Sequence, residues 1–202
     1  MKVAFISRAT LYTSPGGDTK QLEETAAGLR LMGVQVDVFL ANEKIDYSSY
    51  DLLHFFNIIR PADVIAHVRK SRKPYVVSTI FVEYGSVKEE GRTGMVGTIK
   101  KMLPESLFEY VKTVARAVKN GEKIVSKEYL LWGHTKSTMY VAKHANMLLP
   151  NSESEYKRFV AKYPVNTPHH VIPNGISEQQ IGVEYPHNEK YRNAKLSMGR
   201  IE

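Results

Sequence analysis

Cysteine is absent from the sequence, and its absence excludes disulfides, thiolate metal sites and cysteine nucleophiles. No apolar run approaches the roughly 20 residues that span a bilayer. The opening stretch before Arg8 is too short for a signal peptide. We therefore expect a soluble, cytoplasmic protein, and the lack of cysteine fits a reducing compartment.

Several catalytic signatures are also missing. Neither the dinucleotide loop Gly-x-Gly-x-x-Gly nor the Walker loop Gly-x-x-x-x-Gly-Lys occurs, which disfavours a nicotinamide enzyme and an ATPase. There is no Gly-x-Ser-x-Gly nucleophile elbow, and no group of His, Asp and Glu has the spacing of metal ligands. The sequence thus predicts that neither a metal nor a cofactor is required.

The composition is that of a folded protein. The 202 residues are 43% hydrophobic and 24% charged, which allows one large domain or two small ones. The formal net charge is +7, and the excess lies in the middle, where residues 88–143 hold 11 Lys/Arg against 6 Asp/Glu. Such a basic middle can meet nucleic acid, anionic lipid or phosphorylated ligands, although a solvated helix face is the commoner case.

Strand and helix patterns alternate along the chain. An apolar strand at Lys2–Ser7 leads through Ser14-Pro15-Gly16-Gly17 into a helix that stops near Gly33, and a second strand follows over Val34–Leu40. This unit predicts a parallel sheet. Further strands are predicted at 51–57, 75–81, 146–150 and 170–172, and further helices at 61–71, 104–121, 126–144 and from Ser152, which has capping-box spacing to Glu155. We predict an α/β, Rossmann-like parallel sheet with helices on both faces.

Taken in order, these features resemble the amino-terminal half of a retaining glycosyltransferase with two Rossmann-like domains (the GT-B fold). The group is the large one called glycosyl transferases group 1, or family 4. The resemblance rests on the Gly16-Gly17 loop and the strand Asp51–Phe55, then on three later segments. These are Lys143–Ser152, Val171–Ile176 and Met198–Glu202.

The resemblance implies transfer of a sugar from a nucleotide-sugar to a glycan or lipid-linked acceptor, with retention, in surface polysaccharide or glycolipid synthesis. It implies an acceptor-side domain over 1–176, a connector over 177–194 and the first strand of a donor-binding domain over 195–202. The donor would be a substrate, and no metal is implied. The rest of the donor domain does not follow Glu202, so we expect a truncated hexosyltransferase-type enzyme that is inactive alone.

The candidate donor-phosphate residues are Gly16, Gly17 and Arg200. Backbone N–H groups at a helix start can stabilise a leaving phosphate, and glycine lets the backbone come close. A plain turn between strand and helix is the simpler explanation for Pro-Gly-Gly. The arginine after Gly199 resembles the family's diphosphate-binding arginine, a task that a forked guanidinium suits.

The candidate acceptor site lies at the end of the fourth strand, where open parallel sheets place ligands. Many family members have a histidine there, and this sequence has none. We take Glu83 as the catalytic candidate and Phe81, Tyr84 and His134 as acceptor contacts. His54 lies within an apolar strand, which favours a buried core histidine.

Other interpretations remain. A non-catalytic Rossmann-like binding module would fit a chain without a donor domain, whereas no nucleic-acid-binding motif is present. The helix with the apolar residues Leu107, Val111, Val114 and Val118 is expected to pack on the core. Its second face could instead rest at the inner face of an anionic membrane through four cations, which are Lys112, Arg116, Lys119 and Lys123.

Overall fold

The computed structural model describes residues 1–82 and 126–175, together with Leu107, Tyr110, Val111 and residues 113–115. Strands and helices alternate along the described residues. The strands are β1 (Lys2–Ser7), β2 (Gln35–Leu40), β3 (Leu52–Phe56), β4 (Tyr75–Ser78) and β5 (Met147–Leu149). The helices are α1 (Gly17–Leu31), α2 (Pro61–Ser71), α3 (Lys127–His144) and α4 (Glu153–Lys162), with a 3₁₀ turn at Tyr47–Ser49.

The five strands form one sheet in the order β2-β1-β3-β4-β5, and every pairing is parallel. Strand β2 pairs with one edge of β1, and β3 pairs with the opposite edge of β1. The direction in which strands are added therefore reverses between β1 and β3. Open α/β sheets bind ligands at their carboxyl edge beside such a reversal. The predicted α/β, Rossmann-like class is confirmed.

Alternate strand residues face opposite layers of the molecule. On one face, Val3 and Phe5 pack with Leu22 and Ala26 of α1. The other face belongs to a larger cluster that joins the sheet to the remaining helices through Val64, Ile65, Val141, Ala142 and Phe159. Helices therefore cover both faces, as the near-continuous apolar strands predict.

Strand β4 is shorter than its apolar run predicts. It ends at Ser78, whereas the sequence indicates a strand through Phe81. The chain leaves the sheet because Ile80 has a φ of 44°, in the left-handed region. The N–H of Phe81 then donates to the Glu155 carboxylate and not to a neighbouring strand.

The segment predicted as a strand at 170–172 lies beside β5 without forming a regular strand. A single bridge joins Leu148 to His169. The N–H of His170 donates to the carbonyl of Leu148 at 3.0 Å, and that of Ile172 donates to the carbonyl of Pro150 at 2.9 Å. The segment thus covers the outer edge of β5.

The described residues between 107 and 115 are helical, but their apolar side chains are not buried. Leu107 and Val111 are each 43% exposed, so the expected packing of this face on the core is wrong at both positions. Its four candidate cations, including Lys112, lie outside the described residues. Within the ranges that the structure describes, no helix combines the length and apolar character needed to cross a membrane.

Candidate functional site

The loop between β1 and α1 is organised by the Arg8 side chain. Its guanidinium donates two hydrogen bonds to the Asp18 carboxylate, from Nε at 2.7 Å and from Nη2 at 2.9 Å. It also donates to the carbonyl oxygens of Thr10 and Ser14, at 2.8 and 2.9 Å. The Arg8 and Asp18 side chains are each only 11% exposed. A forked, partly buried pair of this kind fixes the loop in one shape.

Asp18 remains ionised at this position. Burial by itself raises the pKa of the carboxyl group, but hydrogen bonds and charge from Arg8, with the backbone N–H of Thr19, outweigh it. The net result is a pKa below the ordinary value. Asp18 therefore lies between the Arg8 guanidinium and the first turn of α1, where it accepts the N–H of Thr19.

Gly16 and Gly17 stand at the exposed start of α1. A Cβ at Gly16 would lie 3.1 Å from Asp18 Oδ1, which explains a glycine there. A Cβ at Gly17 would meet nothing within 4 Å. The N–H of Gly16 donates to Thr19 Oγ1 and that of Asp18 to its own carboxylate, whereas that of Gly17 has no acceptor among the described residues. The Gly17 N–H is therefore open to an anion.

The end of β4 is held from the opposite face of the sheet by Glu155. This carboxylate, 5% exposed, accepts from the hydroxyl of Thr79 and from the N–H of Phe81 at 2.8 Å through Oε1. Its Oε2 accepts from the N–H of Asn151 at 2.9 Å. Ser152 caps α4 as predicted, accepting from the N–H of Glu155. The predicted capping box is wrong in its second half, because the Glu155 side chain reaches past Ser152.

An amide pair links the starts of α1 and α4. Gln21 Nε2 donates to Asn151 Oδ1 at 2.8 Å, and Asn151 Nδ2 donates back to Gln21 Oε1 at 3.2 Å. The two helix starts, which follow β1 and β5, are thereby tied together at the carboxyl edge. This edge is where the sheet order places a ligand site.

The predicted acceptor contacts fall in different surroundings. The Phe81 ring is buried against Phe159 and Tyr163, at centroid distances of 5.5 and 6.0 Å. His134 is also buried, directly after Gly133, whose φ of 71° interrupts α3. Its ring meets Tyr129 edge-on. Both side chains are therefore packed inside the domain.

The other predicted site residues, Glu83, Tyr84 and Arg200, lie outside the described residues. His54 is buried as the sequence favours. Its Nε2 lies 2.9 Å from Ser78 Oγ, and its ring stacks on Phe56 at 4.3 Å. Burial lowers the pKa of His54 to about 3, so the ring is neutral.

Sequence reasoning missed Arg8, Asp18, Gln21, Asn151 and Glu155. The one local signal was an acidic residue in the first turn after Gly16-Gly17, a position that a helix dipole favours. Among the residues that the structure describes, no three His, Asp or Glu side chains are grouped to hold a metal ion.

Comparison with known proteins finds only distant similarity, and only among solved structures. No protein-family model matches the sequence, and no curated protein matches it. One similar solved structure is the crystal structure of Anabaena Alr3699/HepE in complex with UDP, with 15% identity and a TM-score of 0.45. The match covers 87% of this chain and 44% of that one, so the present chain spans less than half of that protein's length.

Proposed function

We propose that this chain is the acceptor-side domain of a retaining glycosyltransferase with two Rossmann-like domains. It would transfer a sugar from a nucleotide-sugar to a glycan or lipid-linked acceptor. The observation that carries the proposal is the open, glycine-lined start of α1 at the carboxyl edge, beside the reversal of strand order. The sequence resemblance to such transferases supports the same assignment.

The chemistry at α1 is stabilisation of the leaving phosphate. Cleavage of the sugar–phosphate bond builds negative charge on the diphosphate, and the N–H group of Gly17 would donate to it. Arg8 pairs with Asp18, and its positive charge would reduce the repulsion between this carboxylate and the phosphate. Arg200 would supply a cation to the same diphosphate.

The end of β4 would present the acceptor. Glu83 and Tyr84 follow directly after the turn that Glu155 holds, and we assign the acceptor hydroxyl to them. Phe81 and His134 would serve this site indirectly, because their side chains are packed in the interior. Phe81 anchors the turn, and His134 supports the first half of α3.

A pair of matched substitutions on α1 tests the assignment. Gly17→Asp would put a carboxylate at the open helix start, whereas Gly28→Asp would put the same group on the same helix, at a glycine with equally open surroundings. In the full-length protein we expect Gly17→Asp to lower kcat/KM for the nucleotide-sugar at least tenfold and Gly28→Asp to leave it unchanged. Equal effects would refute the α1 site.

A panel of nucleotide-sugars decides the reaction class. The full-length protein should release a nucleoside diphosphate from one of them, and the product should keep the anomeric configuration of the donor. Binding without release would instead indicate a non-catalytic binding module. Inversion would remove the retaining assignment while leaving the transferase one.

We also propose peripheral contact with an anionic membrane at the cytoplasmic face. Leu131 is 83% exposed, and the half-exposed Leu107 and Val111 lie nearby. The neighbourhood follows from Tyr110, whose ring stacks on Tyr129 at 5.6 Å. In sequence these apolar residues are interspersed with cations, and such a pattern is typical of interfacial helices.

Vesicle binding tests this contact. Leu107→Asp with Val111→Asp should reduce co-sedimentation with anionic vesicles at least fivefold. Leu31→Asp, at an exposed leucine on α1, is the control and should not change it. Equal sedimentation of all variants would contradict membrane contact through this surface.

A further inference from the structure

A groove runs along α3 at the end of the molecule opposite the candidate site. It has a volume of about 580 Å³ and lies between the last three turns of α3 and the chain that follows α4. Since α3 leads directly into β5, these turns lie at the amino edge of the sheet. The lining residues are Trp132, Lys136, Met139, Tyr140, Lys143 and His144 on one side, and Pro164, Val165 and Asn166 on the other.

Three rings form a row along one side of the groove. The Trp132 and Tyr140 centroids are 5.0 Å apart, and those of Tyr140 and His144 are 4.2 Å apart. A ring N–H of His144 donates to the Tyr140 carbonyl at 2.9 Å, which fixes that ring. Trp132 and Tyr140 are themselves packed against the main core cluster. The row is therefore a rigid apolar surface rather than a set of free side chains.

The charge of the groove has one sign. Lys136 and Lys143 are exposed on the same side of α3 as the rings, and among the described residues no Asp or Glu lines the groove. They lie seven residues apart, which is two helical turns or about 10 Å along the axis. The groove thus presents two separated cations beside aromatic faces. An anionic partner that also has apolar surface would complement both features.

We propose that this groove binds an acidic oligosaccharide segment of the acceptor chain, away from the transfer site. A pyranose ring has a face of slightly positive C–H groups, which the negative face of an aromatic ring attracts. Carboxylates on alternate rings would reach Lys136 and Lys143. A concave groove fits a chain rather than a flat bilayer. The proposal rests on the proposed function, because only a glycan acceptor gives the domain such a partner.

The consequence for catalysis is a local concentration effect. When one segment of an acceptor chain is bound at the amino edge, the end of the same chain stays close to the carboxyl edge. Its effective concentration at the transfer site is therefore raised. The groove would therefore lower KM for long acidic acceptors and leave kcat unchanged. Short acceptors, which cannot reach both places, would gain nothing.

Trp132 makes the test direct, because it is the only tryptophan of the chain. We would follow its fluorescence during titration with an oligogalacturonate and, separately, with a neutral malto-oligosaccharide of the same length. A saturable change with the acidic oligomer, at least tenfold tighter than with the neutral one, is expected. Lys136→Ala with Lys143→Ala should weaken binding at least tenfold.

The control variant is Lys127→Ala with Lys157→Ala, which removes two exposed helix cations outside the groove. It should bind the acidic oligomer like the unaltered chain. Equal loss in both double variants, or equal binding of the neutral oligomer, would overturn the proposal. Tighter binding of a single-stranded oligonucleotide or of anionic vesicles to the groove would overturn it as well.

The outcomes for the groove and for the transfer site are separable. A nucleoside diphosphate should not displace the oligosaccharide, because the two sites lie at opposite edges of the sheet. If the acidic oligomer binds while no nucleotide-sugar is turned over, the groove is supported and the proposed function fails. If turnover occurs and Trp132 does not respond to the oligomer, the groove proposal alone is refuted.

Discussion

Glu155 accepts the backbone N–H of Phe81 at 2.8 Å, across 74 residues of sequence. The carboxylate lies in the first turn of α4, where the helix dipole favours negative charge. It therefore complements the dipole at the α4 start and also accepts the N–H of Phe81, which no neighbouring strand accepts because β4 ends at Ser78. Through this contact, α4 fixes the turn in which the chain leaves β4.

Replacing this carboxylate should be costly. Glu155→Gln keeps the shape but brings an NH₂ group against donors such as the Phe81 N–H, so a buried hydrogen bond to a charged group is lost. We expect a loss of about 2–3 kcal/mol in the free energy of unfolding. Urea denaturation should show a lower midpoint with an unchanged slope. Glu153→Gln, at an exposed carboxylate on the same turn, is the control and should change stability by less than about 0.5 kcal/mol.

The Arg8–Asp18 pair gives a second prediction. Arg8→Ala leaves the largely buried Asp18 side chain without its cation, and we expect a loss of about 2–4 kcal/mol in the free energy of unfolding. Lys20→Ala, which breaks the exposed pair with Glu24, should have no measurable effect. A loss for Arg8→Ala no larger than for Lys20→Ala would show that the pair does not hold the loop.

The same pair has a pH signature. Because the pKa of Asp18 is lowered in the folded state, its contribution is full above the unfolded pKa of 3.8 and is lost as the pH falls through the folded value. In Arg8→Ala this loss should disappear, so the two proteins should converge in stability at the acid end. Denaturation curves from pH 5 down to about pH 2 would measure it. Parallel curves would contradict the assignment.

The buried histidines predict acid sensitivity at a higher pH. The pKa of His54 is lowered to about 3, and burial also lowers that of His67, so the unfolded chain binds more protons below about pH 6.5. Stability is complete above that pH and falls below it, by about 1.4 kcal/mol per pH unit for His54 down to about pH 3, and His67 contributes in the same direction. His54→Leu combined with Ser78→Ala should reduce the slope of stability against pH by the contribution of one proton. Ser78→Ala alone keeps the imidazole and should keep the slope.

A buried hydroxyl on α3 offers a stabilising change. Ser137 Oγ is buried and has no hydrogen-bond partner in the described part of the chain. Ser137→Ala removes that hydroxyl and improves helix propensity, so a gain of about 0.5–1.5 kcal/mol in the free energy of unfolding is expected. Ser126→Ala should do the opposite, because Ser126 caps α3 by accepting the N–H of Tyr129. A loss of about 1 kcal/mol is typical for such a cap. A destabilised Ser137→Ala would indicate a partner for that hydroxyl.

Local patterns predicted much of the fold. Strand β1 and helix α2 have the predicted bounds, since an apolar run before a polar loop and a proline at the first helical position are both local signals. Ser152 caps its helix as its spacing indicates, and the helix predicted from Ser126 begins at that residue, which caps it. The buried state of His54 also follows from its apolar neighbours.

The site contacts could not be predicted in the same way. Glu155 meets Phe81, and Gln21 meets Asn151, only because strand order brings distant segments together. The capping pattern at α4 predicted that Glu155 would bond within its own helix start, but its carboxylate accepts the N–H of Phe81 from the turn after β4. The prediction extended β4 to Phe81 because the residues are apolar, and no local sequence signal marks the left-handed turn at Ile80.

The Gln21–Asn151 pair also bears on the order of folding. It closes a loop of 130 residues, and contacts of such sequence separation form late because the entropy of closure must be met first. The β1–α1–β2 unit can assemble from local contacts as soon as its residues leave the ribosome. Its ligand edge is completed only after Asn151 has been synthesised. Amide hydrogen exchange should therefore find the starts of α1 and α4 opening together, before the strands of the sheet.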